Sequence, residues 1–169
     1  MRATGKVLYS QDAIAKRIAE MGTRISADFE GRDLAVLGIL KGSFVFMADL
    51  VRNIRCPLRC GFIDLTPSMG PGRITEMNFT SDFPVEGADL LIVEDILDTG
   101  ITMAFLKQQL ELRKPRTTRI ATLLNKPVRR RVDIESDYMG FEVPDRYIVG
   151  YGLDHGEAYR NLPYLTYVE

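Results

Sequence analysis

The sequence predicts an α/β fold, a parallel twisted sheet flanked by helices. Three observations carry this. Residues 34–40 (LAVLGIL) and 90–93 (LLIV) are unbroken apolar runs, as expected of strands buried on both faces. The first run ends in the turn residues KGS, and the second continues as EDIL before DTG. An apolar or amphipathic stretch of helical length follows each loop. Strand, tight loop and helix, repeated along one chain, is the pattern of a parallel sheet with crossover helices.

The 169 residues suit one domain, 1–169, with a sizeable core. Hydrophobic content of 46% and charged content of 27% are ordinary for a soluble globular protein. A net charge of −1 argues against nucleic acid or an anionic membrane as a general partner. No apolar run approaches the ~20 residues that span a bilayer, and MRATGKVLYS lacks a signal-peptide apolar region. Cys56 and Cys60 have no nearby histidines and suit reduced structural thiols. A cytoplasmic protein is therefore expected.

Residues 1–9 suit a strand or tail. Ser10 is placed to cap a helix, in which Ile14, Ile18, Met21 and Ile25 recur at helical spacing before Gly31 stops it. After strand 34–40, Lys41, Gly42 and Ser43 make a tight loop, and a helix runs over 44–51. Such a loop can hold an anion, though one lysine beside a glycine is more often a solvated turn. A third strand is expected over 60–65 (CGFIDL). Pro67, Gly70, Pro71 and Gly72 then break regular structure across 66–82, with room for an edge strand in 73–79. A helix over 103–113 packs through Leu106 and Leu110. Strand 119–124 (RIATLL) ends at Asn125, Lys126 and Pro127, and the basic run 129–131 suits a solvated loop. Segments 138–143 and 146–152 are short and aromatic-rich, with Tyr138 and Tyr151 suited to the core, and 164–168 is a closing strand. His155, the only histidine, has no triad partner in view and suits the surface.

Residues 90–103 (LLIVEDILDTGITM) carry the chemistry. Ligands of open α/β sheets bind outside the carboxyl ends of the strands, where Glu94 and Asp95 would sit. Thr99, Gly100 and Thr102, with the unpaired N–H groups of the next helical turn, make a phosphate cradle. It is not the triphosphate loop GxxxxGK[ST], since neither the glycine spacing nor the lysine is present. Two carboxylates beside a phosphate repel it unless they face hydroxyl groups or a divalent cation, and magnesium fits. The stretch asks for a sugar phosphate with free hydroxyls and a metal. The plain alternative is a buried strand ending in a solvated acidic turn.

VEDILDTGITM resembles the phosphoribosyl-pyrophosphate (PRPP) motif of the type I phosphoribosyltransferases. Residues 34–65 and 88–168 resemble the hypoxanthine-guanine branch of that family. The resemblance implies a small hood, formed by about 138–169 with the N-terminal segment, and a flexible flap over about 66–82. It implies transfer of 5-phosphoribosyl from PRPP to N9 of hypoxanthine and/or guanine, with Mg2+ as cofactor and a homodimer or homotetramer as the assembly. By the same resemblance Glu94 and Asp95 bind ribose and metal, and Asp98, Thr99, Gly100, Ile101 and Thr102 hold the 5′-phosphate. Lys41, Gly42 and Arg160 meet pyrophosphate, with a non-proline cis peptide at Leu40–Lys41. Lys126 donates to the purine 6-oxo group, Tyr147 stacks on the base, Ile148 meets its edge, and Asp154 serves the purine side and a second metal. Asp98 faces N7 as the catalytic group. The family's serine-tyrosine pair near the flap's start is Pro67 and Ser68 here, so the tyrosine is missing. Two other functions stay open: a non-catalytic PRPP or nucleotide sensor, and the same reaction with xanthine.

Overall fold

The computed structural model describes residues 3–67, 74–79 and 83–169. A strand, β1 (Ala3–Tyr9), leads into the helix α1 (Gln11–Asp28). Ser10 caps it, its Oγ accepting from the Ala13 N–H at 3.2 Å. Ile14, Ile18, Met21 and Ile25 are buried along one stripe. There follow β2 (Leu34–Leu40), α2 (Phe44–Arg52), β3 (Leu58–Pro67), β4 (Ile74–Phe79), β5 (Asp89–Leu97), α3 (Ile101–Glu111) and β6 (Thr117–Asn125). A 3-10 turn at Pro127–Arg129 precedes β7 (Tyr138–Glu142), β8 (Ile148–Val149) and β9 (Leu165–Val168).

Six strands form the main sheet in the order β4-β3-β2-β5-β6-β7. All neighbours are parallel except β3 and β4. Leu91 and Val93 pack with Val36, Ile14, Phe46 and Leu50 on the face covered by α1 and α2. Leu90 and Ile92 pack with Leu37, Leu106 and Leu110 on the face covered by α3. The apolar runs are therefore buried on both sides, which is why they do not alternate. The chain leaves β2 through α2 towards β3, but leaves β5 through α3 in the opposite direction, towards β6. The β2 and β5 loops diverge at this reversal and open a crevice at the carboxyl edge.

The small second sheet has the order β1-β9-β8 and is antiparallel. It corrects the expected hood in one respect. Tyr138–Glu142 pairs in parallel with β6 and so extends the main sheet. Within the expected flap region, residues 66–67 extend β3, and the edge strand for which 73–79 left room is β4 at 74–79, antiparallel to β3 with Leu65 opposite Met77. Residues 68–73 and 80–82, including the Ser68 position, lie outside the described residues.

At the start of β5, Asp89 is wholly buried. It accepts from the Arg116 guanidinium and, at 2.8 Å, from Thr117 Oγ1. The bond from Arg116 holds its carboxyl below the usual range. Among the described residues no helix is long and apolar enough to cross a membrane.

Candidate active site

The β5 strand delivers Glu94 and Asp95 to the crevice as it leaves the sheet. Asp95 Oδ1 accepts from the Ile96 N–H at 2.7 Å. Glu94 Oε2 is buried with no hydrogen-bond partner among the described residues. Burial, and then the adjacent Asp95 charge, pushes the Glu94 carboxyl well above its usual range, and burial raises Asp95 as well. Two neighbouring carboxylates with an orphaned oxygen suit a divalent cation that keeps its other positions for water and substrate oxygens. The described residues hold no cluster of three metal-ligating side chains. Asp154, expected at a second metal, instead pairs with Arg160, whose Nη2 lies 2.9 Å from its Oδ1.

The loop after β5 is held from outside. Gly100 has φ +81° and caps α3, and a Cβ there would press on Ile134, Val132 and Arg130. Thr99 Oγ1 accepts from the Ile101 N–H at 3.4 Å. The segment after β6 braces the loop. Lys126 N–H donates to the Leu97 carbonyl at 2.9 Å and Arg131 N–H to that of Thr99 at 3.0 Å. Arg130 Nη1 donates to the Asp98 carbonyl at 3.1 Å. Arg129 Nε lies 3.3 Å from Asp98 Oδ1, and its Nη1 lies 3.6 Å from Asp145 Oδ1. Arg129 and Arg131 are exposed, as a solvated loop requires, but the Arg129 and Arg130 side chains also brace the β5 loop, and Arg129 ties it to the segment after β7.

A cavity of about 240 Å³ opens beside this loop, with Asp95 and Ile96 on the strand side and Asp98, Lys126, Tyr147, Ile148, Leu153 and Asp154 around it. It is below the ~300–1,000 Å³ common for ligand pockets, a size for one small ring system. Lys126 is only 6% exposed and has no carboxylate partner among the described residues. Asp98 Oδ1 is buried and, among the described residues, has the ion pair with Arg129 but no hydrogen bond. A donor and an acceptor thus share one small cavity. Tyr147 is half-exposed at its rim and meets His155 edge to face, ring centroids 5.2 Å apart. Tyr138 and Tyr151 are core residues. Their hydroxyls donate to Asp28 and Asp49; burial, and then these bonds, raises both tyrosine hydroxyls well above their usual range.

The β2 loop closes the other side. Its Leu40–Lys41 peptide is cis, as the resemblance implies. Gly42 lies so close to Asp95 that a Cβ would collide with its carboxylate, so only glycine lets the loop touch the acidic pair. Lys41 Nζ is 3.3 Å from Glu157 Oε1. Arg160 donates to the Gly152 carbonyl at 2.8 Å. It also pairs with Asp154 and, at 3.3 Å, with Glu157. Arg160 Nε is buried with no partner among the described residues. Of the expected site residues, Asp95, Asp98, Lys126, Tyr147, Ile148 and Asp154 line the cavity, Gly42 touches Asp95 from the β2 loop, and Thr99, Gly100, Ile101 and Thr102 lead from the β5 loop into α3. Those missed are Arg129, Arg130, Asp145 and Glu157, whose roles depend on pairing between segments distant in the chain.

A family model, the phosphoribosyl transferase domain, matches residues 5–155. The chain is 43% identical over 166 residues to the hypoxanthine-guanine phosphoribosyltransferase of Bacillus subtilis, covering 95% of this chain and 91% of that protein. It is 44% identical over 164 residues to the bifunctional protein TilS/HprT of Listeria innocua, covering 95% of this chain but only 25% of that longer relative. A solved hypoxanthine-guanine phosphoribosyltransferase from Bacillus anthracis matches at a TM-score of 0.90 and 38% identity, over 98% of this chain and 97% of that one. With the acidic pair, the Asp-Thr-Gly loop and the crevice at the sheet's reversal, these likenesses show that the chain belongs to the phosphoribosyltransferase family.

Proposed function

We propose that this chain is a purine-salvage enzyme that transfers 5-phosphoribosyl from PRPP to N9 of hypoxanthine or guanine, releasing pyrophosphate. The observation that carries the base assignment is Lys126, buried and without a carboxylate partner among the described residues, in the same small cavity as Asp98. A 6-oxopurine in its N7–H form presents an acceptor, O6, beside a donor, N7–H. An ammonium and a carboxylate are their complements. Adenine would present an amino donor to Lys126 and leave it unpaired.

In this reading the N–H groups of the loop from Asp98 to Thr102 hold the 5′-phosphate. Glu94 and Asp95 accept from the ribose hydroxyls and hold Mg2+. When bound, the ion neutralises charge on the pyrophosphate. Lys41, the Gly42 amide and Arg160 stabilise the leaving pyrophosphate. Tyr147 stacks on the base, Ile148 lines its edge through the backbone, and Asp154 orients Arg160. The bond from C1′ to the pyrophosphate oxygen breaks and its electron pair leaves with pyrophosphate. N9 attacks C1′, and the proton of N7 passes to Asp98. A homodimer or homotetramer in the cytoplasm belongs to the same reading, on the strength of the family, and sedimentation tests the assembly.

The test is pyrophosphate release from PRPP and Mg2+ with hypoxanthine, guanine, xanthine and adenine in turn. Release with hypoxanthine or guanine but not adenine is expected. Release with xanthine alone would change the substrate. Binding of PRPP without release for any base would make the chain a sensor.

A further inference from the structure

We infer that Glu157 is a positioning carboxylate for the pyrophosphate subsite, which holds Lys41 and Arg160 together in the free protein and gives them up to the diphosphate. The inference rests on the proposal that those two cations bind pyrophosphate. Glu157 Oε1 lies 3.3 Å from Lys41 Nζ, and its Oε2 lies 3.3 Å from Arg160 Nη2. The two cations come from separate loops, one after β2 and one in the turn before β9. One carboxylate bridging them, each oxygen to one cation, mimics the contacts that two oxygens of a phosphate group make.

The turn is built to present this side chain. Glu157 has φ +65° and Tyr159 φ +75°, two non-glycine residues in the left-handed region within three positions. Such backbone persists only where surrounding bonds over-determine it. Those bonds are present. The Glu157 N–H donates to Asp154 Oδ2 at 2.8 Å, and His155 and Ala158 exchange backbone bonds at 3.1 and 3.2 Å.

The contact is also weak enough to yield. Lys41 and Glu157 are each 66% exposed, and exposed ion pairs contribute little. Arg160 keeps a second carboxylate, Asp154, when Glu157 leaves, but Lys41 keeps none among the described residues. Glu157 thus keeps Lys41 near the crevice and competes with the anion for it. The competition makes pyrophosphate, a product, easier to release.

The test is calorimetric titration of inorganic pyrophosphate with Mg2+ into the wild type, Glu157→Gln, Lys41→Ala and Arg160→Ala. Glu30→Gln, an equal charge change on the exposed turn after α1, is the control. Glu157→Gln is expected to bind pyrophosphate about two- to five-fold tighter, the range of an exposed ion pair, with Glu30→Gln unchanged. Equal or weaker binding by Glu157→Gln overturns the inference, and so does an equal gain in Glu30→Gln. A purely structural Glu157 would weaken binding as its turn loosened. Lys41→Ala and Arg160→Ala should weaken binding. If neither does, or if the wild type does not bind, the subsite assignment fails, and the inference with it. If both do and only Glu157→Gln fails to tighten, the subsite stands and the inference alone falls.

Discussion

Glu94→Gln is expected to stabilise the ligand-free protein and to blunt its response to substrate. Glu94 carries a buried oxygen with no partner and sits beside Asp95. An unsatisfied buried polar group costs about 1–3 kcal/mol. Glutamine removes the like charge and offers an N–H to Asp95. Because Glu94 is only half-buried, the gain belongs at the low end, about 1–2 kcal/mol. For a chain of this size each kcal/mol moves Tm by about 2–4 °C, so Tm should rise by ~2–8 °C. The assay is calorimetric unfolding in metal-free buffer, repeated with PRPP and Mg2+. Ligand at a hundred times its Kd should add about 2.7 kcal/mol to the wild type, and much less to the variant. A variant Tm equal to or below the wild type without ligand would refute the claim that the pair burdens the fold. A full ligand shift in the variant would remove Glu94 from the binding site.

Asp98→Asn should lower turnover by about 10²-fold or more, the range for a lost acid–base group, while PRPP affinity by titration stays within about two-fold; unchanged turnover takes Asp98 out of the chemistry. Lys126→Ala should weaken hypoxanthine or guanine by about ten-fold or more, since a charged hydrogen bond contributes ~1.5–3 kcal/mol, and competition assays should show a smaller loss for adenine. Equal losses would end its role in recognising the 6-oxo group. Asp89→Asn should lower stability at pH 7 by ~1–2 kcal/mol, or Tm by ~2–8 °C, the low figure because its partner Arg116 is largely exposed. The Asp89 carboxyl is held below its unfolded value of about 3.9. Its stabilisation is therefore present above that value and lost as pH falls through the folded one. The gap between the melting curves of the two proteins should narrow as pH falls below about 4, and a gap that does not narrow contradicts the assignment.

The parts of the fold legible in the sequence are those written in local pattern. The runs at 34–40 and 90–93 have no polar residue to spare for solvent, so burial on both faces follows directly, and the loops after them had to reach the carboxyl edge. Ser10 caps α1 because a hydroxyl at that place satisfies an orphan N–H whatever the tertiary setting. Boundaries were less legible. Helix α3 begins at Ile101, two residues before the expected start, because Gly100 in a left-handed conformation opens the helix without a capping side chain. Strand β3 begins two residues before and ends two after the expected 60–65 segment, where pairing with β2 and β4 extends it.

What stayed hidden depends on residues far apart in the chain. The sequence around Tyr138–Glu142 is equally compatible with a hood strand and a main-sheet edge. Only the parallel pairing with β6 decides between them. Arg129 and Arg130 look like solvent-facing charge until the segment after β6 folds back on the Asp98 loop. Glu157 carries no motif at all. Its meaning comes from a turn that brings it within 3.3 Å of a lysine 116 positions away. Within the site, the motif residues could be found from type and spacing, whereas the residues that brace or compete with them could not.

The most direct test of the central claim is the identity of the product. Purified protein is incubated with PRPP, Mg2+ and hypoxanthine, and the ribosylated species are separated and assigned by NMR. The account predicts the N9-linked ribonucleotide, formed together with one pyrophosphate per base consumed. Ribose 5-phosphate as the main product, a nucleotide linked at another ring nitrogen, or bound PRPP with no product would each contradict it.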